Sequence, residues 1–147
     1  MSGPELEELP LDECLELLRT GSVGRIAFSV NDFPVVFPVN YRLVETSAPP
    51  WIALRTRPGN VIDTAPLATA FEIDSIDDQH HLGWSVLVRG TLDRVDPDAA
   101  GFRERFDPDP WLGTERESWL AIAPFAITGR RLLPAGQVWA FHQRAYL

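Results

Sequence analysis

Residues 83–90, Gly-Trp-Ser-Val-Leu-Val-Arg-Gly, make an apolar, β-branched run with a glycine at each end. Valine favours extended backbone. The run continues through Leu92, Asp93 and Arg94, and it predicts one long strand over Trp84–Val95. A glycine within a strand marks a place where another backbone or a ligand comes close, because it has no side chain to hold a neighbour off. Trp84 sets a flat face beside one such approach.

The surrounding chain reads as further short strands. Residues 23–30 alternate, with Ile26, Phe28 and Val30 on one face and Arg25, Ala27 and Ser29 on the other. Asn31-Asp32 is turn chemistry. Val35–Leu43 is the returning strand, and Pro38 within it points to an edge or a bulge. Trp51–Thr56, Ala68–Ile76 and Ser118–Arg130 complete the set, with Pro124 marking a bulge. Residues 137–144 read as a last short strand or an arm. Helices are few. Leu11, Cys14, Leu15 and Leu18 share one apolar face after Pro10 and before Gly21. A short helix is expected over 60–66, and another from Asp96 as N-cap to about Arg105. Some six closely spaced strands with peripheral helices predict a mainly β fold, a closed or nearly closed antiparallel barrel. It forms a single domain over residues 1–147, with 1–8 as a flexible N-terminus and 134–147 as a C-terminal arm.

Charge and residue usage narrow the chemistry. The net charge of −8 opposes non-specific binding to nucleic acid or anionic lipid. All 13 basic residues are arginine, so no side-chain amine can form a Schiff base. A phosphate must then be held by arginine, hydroxyls or backbone N–H groups, and the planar guanidinium fork suits that role. Arg55 and Arg57 flank a turn at Pro58-Gly59, where they either grip an anion or pair with surface carboxylates. One cysteine, Cys14, excludes an intrachain disulfide and reads as a small core residue. His80 and His81 follow Asp77 and Asp78. That segment is either a solvated loop or a place where one histidine reaches a ligand edge. No metal site is expected. No hydrolase triad, nucleophile elbow, P-loop or dinucleotide fingerprint is present. The N-terminus lacks an apolar signal segment, and a cytoplasmic protein is expected.

The order of these pieces resembles the pyridoxamine 5′-phosphate oxidase-like, FMN-binding split-barrel family, in its small bacterial flavin-reductase-like members. The matching segments are Val23-Gly24-Arg25-Ile26-Ala27, Pro38-Val39-Asn40-Tyr41, Arg55-Thr56 with Pro58-Gly59, and the 83–90 strand. Pro110-Trp111 and Ile127-Thr128-Gly129-Arg130-Arg131 follow them. The resemblance covers residues 9–133 and implies a homodimer of split barrels with FMN at the subunit interface. It implies that Arg55 and Thr56 hold the phosphate and that Pro38, Val39, Asn40 and Tyr41 line the ring. Trp84 and Ser85 would approach the cofactor from the long strand, with Trp111 near the mouth. One departure stands out. Relatives commonly carry a lysine, or a small hydroxyl residue followed by lysine, just after the glycine at position 59, whereas this chain reads Gly59-Asn60-Val61. Losing a charge-assisted contact weakens binding by about 1.5–3 kcal/mol, unless Arg57 compensates. The expected function is flavin-dependent redox chemistry on a small substrate, with no catalytic side chain required. The alternatives are a non-enzymatic dimer that sequesters a flavin or haem, and a deazaflavin-dependent reductase.

Overall fold

The computed structural model describes residues 5–56, 66–108 and 118–133. Seven strands and two helices follow in the order β1 Glu5–Leu9, α1 Leu11–Thr20, β2 Val23–Val30, β3 Phe33–Val44, β4 Trp51–Thr56, β5 Leu67–Asp77, β6 Leu82–Arg94, α2 Phe102–Phe106 and β7 Ser118–Leu133. The sheet runs β1-β7-β4-β3-β2-β5-β6, and β6 also pairs with β7. Six strands therefore close into a ring, and β1 is added outside it along β7. This is a mainly β, split-barrel fold of antiparallel strands, as the sequence predicts.

Alternation decides which side chains enter the ring. Ile26 and Phe28 of β2, Phe71 and Ile73 of β5, and Val86, Val88 and Leu92 of β6 are buried together with Leu120 and Ile122 of β7. Helix α1 plugs one side through Cys14 and Leu18, both fully buried. Burial raises the Cys14 thiol pKa, which suits an inert core thiol.

The turns carry the expected chemistry. Asn31 and Asp32 both have positive φ, 49° and 68°, as a two-residue hairpin of this twist requires. Phe125 is the extra residue of a bulge: Arg89 faces Ala126, while Gly90 faces Pro124. A Cβ on Gly90 would collide with the Ala123 carbonyl oxygen, and one on Gly83 would sit 2.9 Å from the Ser75 carbonyl oxygen. At Gly90 the close neighbour is backbone of the adjacent strand, and at Gly83 it is that backbone together with the Ile76 side chain, also at 2.9 Å.

Strand β3 divides the barrel. Its second part, Tyr41–Val44, pairs with Leu54–Trp51 of β4, while Phe33–Asn40 pairs with β2 alone. Pro38 lies in that singly paired part, an edge where a missing N–H is tolerated. The two strands fork at Asn40 and Arg55.

Two expectations need correction. The N-terminus was expected to be flexible over 1–8, but Glu5–Leu9 is a strand in register with Leu133–Gly129. Its acidic residues face arginines there, Glu7 opposite Arg131 and Glu8 opposite Arg130, and that complementarity offsets a poor intrinsic strand propensity. The helix expected from Asp96 to Arg105 is instead a 3-10 turn at Ala99–Gly101 followed by α2. Gly101 at φ 69° interrupts it, and the Asp96 carboxylate accepts from the Asp98 N–H rather than capping a continuous helix. The expected elements at 60–66 and 137–144 lie outside the described residues.

Candidate functional site

The candidate residues separate into two groups. The first lies at the β3–β4 fork. Arg55 leaves β4 opposite Trp119 of β7. Its guanidinium lies 5.0 Å from the Trp119 ring centroid and donates through Nη1 to Asp107 Oδ1, at the end of α2. Arg103 of α2 covers the same indole at 5.4 Å and pairs with Asp98. Phe102 meets that ring edge-on, with centroids 6.2 Å apart. Trp119 is thus a buried aromatic plate met by two arginines, each paired with an aspartate. Sequence reasoning did not single out Trp119 or Asp107. The only signal was a tryptophan at the start of the last strand, and its neighbours come from β4 and α2.

Asn40 and Tyr41 stand beside this arrangement. They line a cavity of about 290 Å³ with Ser22, Arg42 and Pro108, the residue after Asp107. The Asn40 amide donates to the Ser22 carbonyl at 3.4 Å. Tyr41 is buried, donates its hydroxyl to the Leu18 carbonyl at 2.7 Å, and meets the Phe71 ring edge-on. Burial pushes its hydroxyl pKa up to about 12, so it stays a neutral donor. Val39 packs against the core, and Pro38 is exposed on the outer surface of β3. Thr56 ends β4 opposite Ser118. Arg57, Asn60 and Trp111 lie outside the described residues.

The second group lies at the other end of β7. Trp84 is paired with Arg131 and Ser85 with Arg130. Trp84 turns inward and packs partly against the core. It also lines an apolar cavity of about 400 Å³ with Leu6, Ile76, Leu82 and Leu132. His81 is at that cavity's rim, with φ 55° in the β5–β6 turn. His80 holds Asp77 at 2.8 Å, and this hydrogen bond lowers the Asp77 pKa. Among the described residues, no group of three or more His, Cys, Asp or Glu side chains could hold a metal ion.

Trp119, which stacks with Arg55, and Arg131, which pairs with Trp84, mark the two ends. Roughly 40 Å of strand path separates them at about 3.3 Å per residue. One protomer does not bring Arg55 and Trp84 to one cavity. The fork end nevertheless carries a partly exposed guanidinium over an aromatic ring, and the strand beside it lines a cavity through Asn40 and Tyr41. An anion reaching Arg55 has to share it with Asp107 or displace it.

Comparison with known proteins shows the family and the fold. Residues 10–131 match the family model described as pyridoxamine 5′-phosphate oxidase. The chain is similar in structure to the FAD-binding protein from Mycobacterium smegmatis. That match has a TM-score of 0.71 and 32% identity over 88% of this chain and 99% of that one. A conserved protein of unknown function from Corynebacterium diphtheriae matches with a TM-score of 0.74 and 27% identity, over 87% and 98% of the two chains. An uncharacterized protein of Mycobacterium tuberculosis is 29% identical over 136 residues, 90% of this chain and 89% of that protein.

Proposed function

The chain belongs to the pyridoxamine 5′-phosphate oxidase family, and from that premise we propose that it is a homodimeric flavoprotein acting as an oxidoreductase on a small substrate. The observation that carries this reading is the separation of the two groups along β7. A site using both needs two subunits, with the fork of one facing the Trp84 end of the other. Exposed apolar side chains supply surface for such a contact, among them Phe33, Val36, Ile76 and Phe125. The 32% identical relative is described as FAD-binding, which supports a flavin nucleotide as the ligand.

In this reading Arg55 binds a flavin phosphate, and Trp119 keeps its guanidinium flat. Asn40 stands at the entrance, and the partner's Trp84 shields the ring from water. A bound flavin supplies the redox chemistry. The protein orients it and leaves one face open for substrate.

The test is a titration of the full-length protein with FMN and FAD, followed by flavin fluorescence and sedimentation. Quenching with a dimeric mass is expected for at least one of the two. A protein that stays monomeric, or that quenches neither flavin in excess, overturns the proposal. Turnover with reduced nicotinamide and a panel of acceptors separates an enzyme from a flavin-sequestering dimer.

A further inference from the structure

We propose that Arg130 is the charge that favours the reduced form of a flavin bound at the Trp84 end, and so raises its redox potential. This rests on the flavin reading above and deepens it. Strand alternation buries Arg131, where Glu7 and Glu13 hold it, and turns Arg130 to the outer side of the sheet. Arg130 lies between Ser85 of β6 and Glu8 of β1 in the ladder. It is exposed, and among the described residues no carboxylate lies within ion-pair distance of it, Glu8 included.

A cleft of about 650 Å³ opens on this side of the sheet. Leu9, Leu87 and Ile127 supply an apolar wall, and Ser85, Thr128 and Arg130 a polar edge. Glu8 and Glu72 also line it, and Glu72 is engaged by Arg25. The Trp84 cavity shares Leu6, Ser85 and Arg130 with this cleft, so the two adjoin. Ligand sites commonly span about 300–1,000 Å³. An apolar wall with a polar edge suits a planar ring whose heteroatoms lie along one side, as in a flavin. A hydride from a donor such as reduced nicotinamide adds one proton and two electrons to a neutral ring and leaves it with one negative charge. A guanidinium beside the ring attracts that charge and gains much less from the neutral form, so it tightens binding of the reduced flavin selectively. The Glu8 carboxylate acts in the opposite sense.

Full-length wild type, Arg130→Gln and Glu8→Gln are loaded with FMN or FAD, whichever wild type binds more tightly. Each is melted to confirm folding, and the midpoint potential of the bound flavin is measured by spectroelectrochemical titration. Arg130→Gln should lose about five- to tenfold of the preference for reduced over oxidised flavin, a fall of about 20–30 mV for a two-electron couple. Glu8→Gln should raise the potential, through a gain of about two- to threefold in the same preference. A merely structural role would not move the two potentials in opposite directions. Arg130→Met, should the glutamine variant not fold, carries the same expectation. An arginine variant whose potential equals or exceeds that of wild type, or a Glu8→Gln potential at or below it, overturns the assignment and leaves the flavin reading standing. Failure of wild type to bind either flavin overturns both.

Discussion

At one end of β7, Arg131 donates from Nη1 to Glu7 of β1 at 2.9 Å and from Nη2 to Glu13 of α1 at 3.3 Å. At the other end, across the ladder from Trp119, Arg55 donates to Asp107. The side chains are the same and the surroundings differ. Arg131 is 4% exposed and pins two separate elements to the barrel, whereas Arg55 is 17% exposed and lies where β3 and β4 fork. A third arginine, Arg25 on β2, shows that the number of carboxylates is not the deciding quantity. It reaches Glu72 at 3.1 Å and Asp74 at 3.2 Å yet is 53% exposed, and pairs as exposed as these contribute little. Depth of burial, rather than the number of carboxylates, separates the structural arginine from the one more open to a ligand.

The largest expected effect tests the structural end. Arg131→Ala leaves Glu7 and Glu13 without a shared cation and loosens both β1 and α1. A loss of about 2–4 kcal/mol is expected in urea unfolding. A loss near zero would remove the distinction between the two arginines. Arg55→Ala tests the other end and should cost under about 1 kcal/mol of stability while weakening flavin binding about ten- to hundredfold. If it unfolds the protein as severely as Arg131→Ala, both ends are structural and the phosphate lies elsewhere.

Tyr41→Phe sharpens the reading of the fork, because it deletes a buried hydrogen bond to Leu18 without removing the ring from Phe71. About 1 kcal/mol is expected. The folded pKa of about 12 stands above the unfolded value of about 10. The unfolded chain therefore releases this proton first. The Tyr41 contribution falls as pH rises from about 10 to 12, and the variant should lose that part of the slope in alkaline melts.

The smallest effect is on the barrel wall. Burial, and then the neighbouring Asp74, push the Glu72 carboxyl up to about 7 against the opposing pull of Arg25. The folded state keeps a proton that the unfolded chain gives up near pH 4.3. This group thus takes stability away as pH climbs from about 4.3 to 7. Glu72→Gln should flatten that stretch of the stability profile, with a gain at pH 8 of no more than about 1 kcal/mol after solvent screening. An unchanged profile would mean that Arg25 already keeps Glu72 ionised.

The elements legible in the chain are those whose signal is local. Alternation from Val23 to Val30 and the β-branched run after Gly83 read directly as strands, and Asn31-Asp32 as a hairpin turn. The apolar stripe of α1 was equally plain. The sequence also marked Gly83, Gly90 and Pro124 as irregular positions. Strand β1 was not legible, because Glu5-Leu6-Glu7-Glu8-Leu9 has no strand pattern of its own. It becomes a strand only beside Arg130 and Arg131, which follow it by more than 120 positions. The Arg55–Asp107 pair and the Trp119 plate were hidden for the same reason, since their members come from β4, α2 and β7.

Residue types and their local order alone thus determined a β-rich barrel, an arginine-only set of cations, and the absence of any side-chain amine for covalent chemistry. Ring closure through β6 and β7, the fork in β3, and the placement of Arg55 and Trp84 against opposite ends of β7 were decided by the tertiary structure. Strand propensity and alternation act over neighbouring residues. Pairing register, burial and counter-ions are settled between segments that meet only when the barrel closes.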